Sequence, residues 1–178
     1  MKVPKAFFNE RELKAFVLGC DPTAFGKHQG FEVVFDIGGD KRYFARTLDN
    51  LMILGLSLDY IYVQNLVTDY QKEETGKNKD WKQIAKGYVS GRKMEFDKID
   101  STCSIPVFLT SELLYKVLIT SDRPHTARDL YTKEGLVPIK ANDNKLGRPL
   151  IPLFRHRNYN LSKQIEYEKR VSLYLAKK

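Results

Sequence analysis

The chain has 178 residues, 42% of them hydrophobic and 12% aromatic, which suits one domain over residues 1–178 with its own core and argues against a disordered tail. Thirty Lys and Arg against 22 Asp and Glu leave a formal charge of +8, an excess that favours polyanions, nucleic acid first and an anionic membrane surface second. Cys20 and Cys103, the two cysteines, lie far apart and outside any CxxC setting, which argues against a disulfide framework and against a cysteine-rich zinc or iron–sulfur site.

The amino-terminal stretch from Met1 to Phe16 is too polar for a signal peptide, and no apolar run approaches the length of a membrane span. These features predict a cytoplasmic protein without membrane attachment. Asn9-Glu10-Arg11-Glu12 offers a cap-like start to a short helix, unless the chain is already turning into its first strand. Ala15-Phe16-Val17-Leu18-Gly19 is a continuous apolar run, as expected of a strand buried on both faces. It ends on Asp21-Pro22. Phe31 to Ile37 reads as a second strand, ended by Gly38-Gly39-Asp40.

Between Phe44 and Leu56, Leu48, Leu51, Met52 and Leu54 recur at helical spacing, with Gly55 as a stop. Tyr60 to Val67 is β-branched and aromatic, hence a strand. A polar loop follows through Asn78, then a helix around Trp81 to Tyr88. Ile105 to Thr110 is the next strand and runs into a helix at Ser111 to Tyr115. Arg148 to Phe154 is the last strand, and Ser162 opens a terminal helix to about Leu175. Strands alternating with helices predict an α/β fold, three layers deep (α/β/α), around a mostly parallel sheet.

In such a sheet the strand ends share one edge. The first strand ends in Asp21-Pro22, the strand from Tyr60 in Gln64-Asn65, and the last in Arg155-His156-Arg157-Asn158. A carboxylate, a carboxamide and an imidazole thus fall on one crevice. The carboxylate orients or deprotonates a water, and the imidazole donates to an oxygen that gains charge. The amide carries donor and acceptor together, which suits the edge of a pyrimidine. Taken singly, each has a plainer use: Asp21 as a turn residue before proline, Asn65 as a strand-end cap, His156 as part of a basic surface loop. Phe35 alone is a core aromatic, and Cys20 a small buried residue rather than a nucleophile. His28 and His125 show no partner in the sequence.

Leu18-Gly19-Cys20-Asp21-Pro22, Tyr60 to Val67 with Asn65, and Ile151-Pro152-Leu153-Phe154-Arg155-His156 together resemble the motifs of the uracil-DNA glycosylase superfamily. The resemblance implies that fold over the whole chain, a monomer acting on uracil or lesion-bearing DNA in base excision repair, and no metal or cofactor. It implies Asp21 as the water-activating acid and His156 as the donor facing the uracil oxygen. Asn65 reads the base, Phe35 (with Phe31 second) stacks on it, and Gly19 and Pro22 frame the site. Arg155, Arg157 and Asn158 fall at the DNA, within a strip that also includes Arg123, Arg128 and Arg148. Lys77 and Lys79 are weaker phosphate contacts, and Tyr159 or Leu161 is the side chain that wedges into the duplex.

Two positions depart from the family pattern. His156-Arg157-Asn158 stands where the family has His-Pro-Ser, and Thr23-Ala24 where many members carry an aromatic that bars thymine. These departures suit an alternative, a catalytically idle relative that still grips DNA or a DNA-processing partner. A third reading is a nucleotide-metabolising enzyme acting on a free base or nucleoside, which would have no need of the basic surplus.

Overall fold

The computed structural model describes residues 2–9, 11–22, 30–39 and 43–177. Five strands form one mixed, mostly parallel sheet: β1 (Phe7–Phe8), β2 (Ala15–Gly19), β3 (Ile61–Asn65), β4 (Val107–Leu109) and β5 (Leu150–Pro152), in the spatial order β1-β3-β2-β4-β5. Only β1 runs antiparallel, along β3 at the sheet's edge. From β2 the chain crosses to β3 on one side and later to β4 on the other. The order therefore reverses at β2, and the crevice at a parallel sheet's carboxyl end opens at such a switch point.

β2 is buried at every position, as its unbroken apolar run requires of a central strand covered on both faces. Among the described residues five helices accompany the sheet: α1 (Ala45–Ile53), α2 (Trp81–Ile99), α3 (Glu112–Leu118), α4 (Ala127–Thr132) and α5 (Ile165–Leu175). α2 packs with α3 and α4 with α5, while α1 and α5 both meet the 3-10 turn Leu161–Lys163, a grouping compatible with three layers. α1 ends in a Schellman turn, with Gly55 N–H bonded to Met52 O, Leu56 N–H to Leu51 O, and Gly55 at φ +75°. Ser111 caps α3 by accepting from Leu113 N–H at 3.2 Å.

Several expected elements differ. Phe31 to Ile37 is no strand: after one bridge from Lys5 to Val33 the chain turns through a 3-10 segment, Val34–Asp36. Phe35 (φ +56°) and Asp36 (φ +52°) both lie in the left-handed region there. The alternation of Phe31, Val33 and Phe35 fits a strand, yet these residues serve a tight reversal that aims Phe35 at the sheet's edge. Residues 11–14 are not helical, and β1 precedes them. α2 runs eleven residues beyond Tyr88, because its buried stripe of Trp81, Ala85, Val89, Arg92 and Phe96 continues past Gly87 and Gly91.

Arg148 is also corrected. It precedes β5, so it sits at the opposite edge of the sheet from Arg155, which follows that strand. Its guanidinium is fully buried over the Phe16 ring at 5.0 Å and pairs with Asp97 at 2.7 Å and Asp100 at 3.2 Å. It is a core cation with no DNA-facing surface. Burial alone would raise the Asp100 carboxyl, but hydrogen bonds from Thr102 and Ile105 N–H and the Arg148 charge outweigh it and hold that carboxyl below its ordinary value. A depressed folded-state carboxyl contributes stability that is full above the unfolded-chain value of about 3.9 and is lost as pH falls through the folded one. Arg148→Met is expected to lower unfolding free energy near pH 7 by about 3–5 kcal/mol, since it leaves the buried Asp100 carboxylate without its cation, while Asp97 keeps Lys93. Urea denaturation of wild type and variant between neutral and acid pH should show the gap closing as that carboxylate protonates.

Candidate active site

The register of the central strands positions the site. Gly19 at the end of β2 lies beside Asn65 at the end of β3, and the pairing continues for one more turn as Leu66 N–H bonds Gly19 O and Val67 N–H bonds Cys20 O. A Cβ on Gly19 would fall 2.2 Å from Asn65 Oδ1 and 2.4 Å from Phe35 Cζ. No side chain fits between them, so the amide of β3 and the ring from the 34–36 turn close over a bare backbone. Gly19 is needed for this close approach.

Asn65 is 4% exposed, and among the described residues its carboxamide makes no hydrogen bond; its backbone N–H donates to Gln64 Oε1 at 2.9 Å. Its amide atoms are not sealed from solvent, so they stay open to water or to a ligand. A strand-end cap would have made the bond it was there to make.

Beyond Gly19, Asp21 enters a cleft of about 1350 Å³ that Phe35, Thr75, Arg155 and His156 also line. Its Oδ1 accepts from the Thr75 hydroxyl at 2.5 Å and from the Trp81 indole N–H at 2.6 Å. Pro22 is buried, and its carbonyl accepts from Gln71 N–H at 3.3 Å, tying the strand end to the loop that carries Thr75. Burial pushes the neighbouring Cys20 thiol up to about 12, only partly offset by a hydrogen bond with Ser111. It stays a thiol at neutral pH and is no nucleophile.

The far wall is the segment after β5. Arg155 N–H bonds Thr110 O at 3.0 Å, and Arg46 on α1 donates to Arg155 O at 2.9 Å. Asn50, one turn further along α1, accepts Leu161 N–H at 3.0 Å. His156 opens the 3-10 turn Arg157–Tyr159, and its Nδ1 accepts from Asn158 N–H at 3.3 Å. A neutral imidazole held this way carries its proton on Nε2 and presents a donor. The Arg155 guanidinium lies over the Phe35 ring at 5.6 Å. Arg157 and Asn158 are exposed at the cleft, and Tyr159 packs on Tyr131 at 4.5 Å.

The structure thus brings Asp21, Phe35, Arg155, His156, Arg157 and Asn158 to one cleft. Gly19, Pro22 and Asn65 are not part of its lining; Asn65 sits behind it, beside Phe35 at Gly19. Phe31 is absent from that lining and packs instead on Tyr43 at 5.0 Å. Leu161 is withdrawn into the core at 1% exposure, so it offers no wedge. Arg123 and His125 line a separate cavity of about 340 Å³, Arg128 is exposed on α4, and Lys77 pairs with Glu74 at 3.0 Å. Thr23, Ala24 and His28 lie outside the described residues, as do Glu10 and Asp40.

Thr75, Trp81 and Arg46 escaped sequence reasoning. The one available signal was Trp81, the single tryptophan, whose donor-only indole N–H demands an acceptor once buried. Among the described residues no group of three or more His, Cys, Asp or Glu is placed to hold a metal ion, and no helix is long and apolar enough to cross a membrane. Comparison with the models of known protein families finds no match, and comparison with curated proteins finds none either.

If Asn65 serves a ligand rather than the fold, removing its amide should not weaken the protein. Asn65→Leu is expected to leave the thermal midpoint unchanged or raised, while any recognition by this cleft is lost. A drop of more than about 1 kcal/mol on denaturation would return Asn65 to a structural role.

Proposed function

We propose that this protein is a DNA glycosylase with a uracil-DNA glycosylase-like fold, hydrolysing the N-glycosidic bond between deoxyribose and uracil or a related damaged base. One observation carries the reading: Asp21, Phe35 and His156 line a single cleft at the switch point of the sheet, and the unpaired Asn65 amide meets Phe35 over Gly19. Asp21 and His156, far apart in the chain, follow strands whose carboxyl ends share that edge of the sheet.

The target nucleotide leaves the stack, at a cost of a few kcal/mol, and enters the cleft. Phe35 supplies a face for stacking, worth about 1–3 kcal/mol per base, and Asn65 pairs its donor and acceptor with the base edge. As the glycosidic bond breaks, its electron pair leaves with the base, and the sugar gains positive charge. The Nε2–H of His156 donates to the anionic base, while the Asp21 carboxylate offsets the cation and orients the attacking water. Water oxygen bonds to the anomeric carbon. Its hydrogens end one on the sugar hydroxyl and one, through solvent, on the base. Arg155 and Arg157 at the rim supply phosphate contacts, so binding weakens steeply with salt.

A second reading has an observation in its favour. The Arg155 guanidinium covers the Phe35 ring on which a base would stack, as suits an idle relative that grips DNA through its basic rim without base chemistry. Incubation with a labelled uracil-bearing oligonucleotide, followed by alkali, separates the two. The enzyme should give cleavage at the lesion, and Asp21→Asn should cut base release by about 10²–10⁴-fold with DNA binding retained. Intact oligonucleotide across uracil, hypoxanthine and mismatch substrates would favour the idle binder.

A further inference from the structure

The carboxylate of Asp21 is held from behind by two side-chain donors of unlike origin. Thr75 belongs to the loop between β3 and α2, and Trp81 is the first residue of α2, 1% exposed in the core. Their hydroxyl and indole N–H converge on the same oxygen, Oδ1, at 2.5 and 2.6 Å. An indole N–H can only donate, and an ionised carboxylate can only accept, so this contact is defined in both chemistry and direction. Bonds this short to a charged acceptor are the stronger kind, and donors aimed at the charged form favour it.

A structural account would make Asp21 a mere acceptor for a buried tryptophan. The geometry goes further. Two donors on one oxygen fix the rotation of the carboxylate about its Cβ–Cγ bond, which neither alone would do. The loop carrying Thr75 is itself tied to Pro22 through Gln71, so acid and clamp are positioned by one loop.

We propose that Thr75 and Trp81 are positioning residues that together hold the Asp21 carboxylate ionised and in one orientation, and that the Trp81 indole reports the state of that acid. The inference deepens the proposed glycosylase function and rests on it for Asp21's part in the chemistry; the clamp itself stands on the hydrogen bonds. Other titratable or charged groups line the same cleft: Arg46 and Asp49 from α1, Glu112 and Lys116 from α3, Cys20 after β2, and Arg155, His156 and Arg157 after β5. A variant lacking the Asp21 acid separates its titration from theirs.

With one tryptophan in the chain, a proton–nitrogen correlation spectrum shows one indole N–H resonance. In the wild-type protein it should move in a single step on acidification, and Asp21→Asn should both displace it and abolish the step. Thr75→Val, which keeps the shape and removes the hydroxyl, should raise the midpoint by about one pH unit, because losing a donor favours the protonated acid. Thr75→Ser should bring it back. Where base release is measurable, the acid limb of its pH profile should rise by the same amount in Thr75→Val and in Trp81→Phe. An indole resonance indifferent to Asp21→Asn, or a midpoint unmoved in Thr75→Val, overturns the clamp whatever the activity. Midpoints that move without base release from any substrate sustain the clamp and remove the glycosylase reading. If Trp81→Phe does not fold, the Thr75 and Asp21 variants still decide.

Discussion

The whole site hangs on one register. Parallel pairing sets Gly19 against Asn65 at the carboxyl ends of β2 and β3, and the missing side chain at Gly19 lets the Asn65 oxygen and the Phe35 ring edge meet over the strand end. A slip of one residue along β2 would bring Leu18 or Cys20 to that point and turn the strand's buried faces over. β2 can hold its register because it is apolar at every position and hydrogen-bonded on both sides, to β3 and β4. The central strand of the core therefore sets the geometry of the site beside it.

Around that fixed point the polar groups divide into those the fold satisfies and those it leaves open. Arg148 sits deep in the core with both carboxylate partners present, and Tyr167 reaches Pro152 O at 2.5 Å to brace β5 from α5. Asn65 is as well buried yet makes no side-chain hydrogen bond among the described residues. Phe35 and Asp36 hold consecutive left-handed conformations that cost non-glycine residues energy. Neither feature is confined to that crevice: Arg148 Nε is buried without a partner, and Cys103 beside it lies at φ +54°. What sets the crevice apart is that Phe35, one of its strained pair, lines the cleft together with Asp21 and His156.

Much of this was legible in the sequence. The runs that became β2, β3, β4 and β5 announce themselves by apolar continuity and β-branching, and the strand-end positions of Asp21, Asn65 and His156 follow from parallel topology alone. Period-two patterning over Phe31 to Ile37 misled, because the same alternation arises when a tight turn buries Val34 and sends Phe35 toward the sheet. The long α2 hid behind two glycines, whose cost to helix propensity is overridden by the stripe that ends in Arg92 and Phe96. Arg148 could not be told from Arg155 by type or nearness in sequence. Only the traverse of β5 between them sends one to a buried ion pair and the other to the cleft. The Thr75 and Trp81 bonds to Asp21 span 54 and 60 residues, and no local pattern encodes such a contact.

The net charge of +8 overstates what the cleft can offer a polyanion. Arg148 is neutralised inside the core, Lys116 pairs with Glu112 at 2.7 Å on the cleft wall, and Arg46 directs a donor to the Arg155 carbonyl that anchors the His156 segment. Arg155 and Arg157 remain, flanking the imidazole in sequence and in space, and among the described residues neither forms an ion pair with a carboxylate. Asp21 and Thr75 line the same cleft. Charge in this protein is therefore a matter of arrangement: a carboxylate and two guanidinium groups line one cleft, while other cations are paired with carboxylates elsewhere.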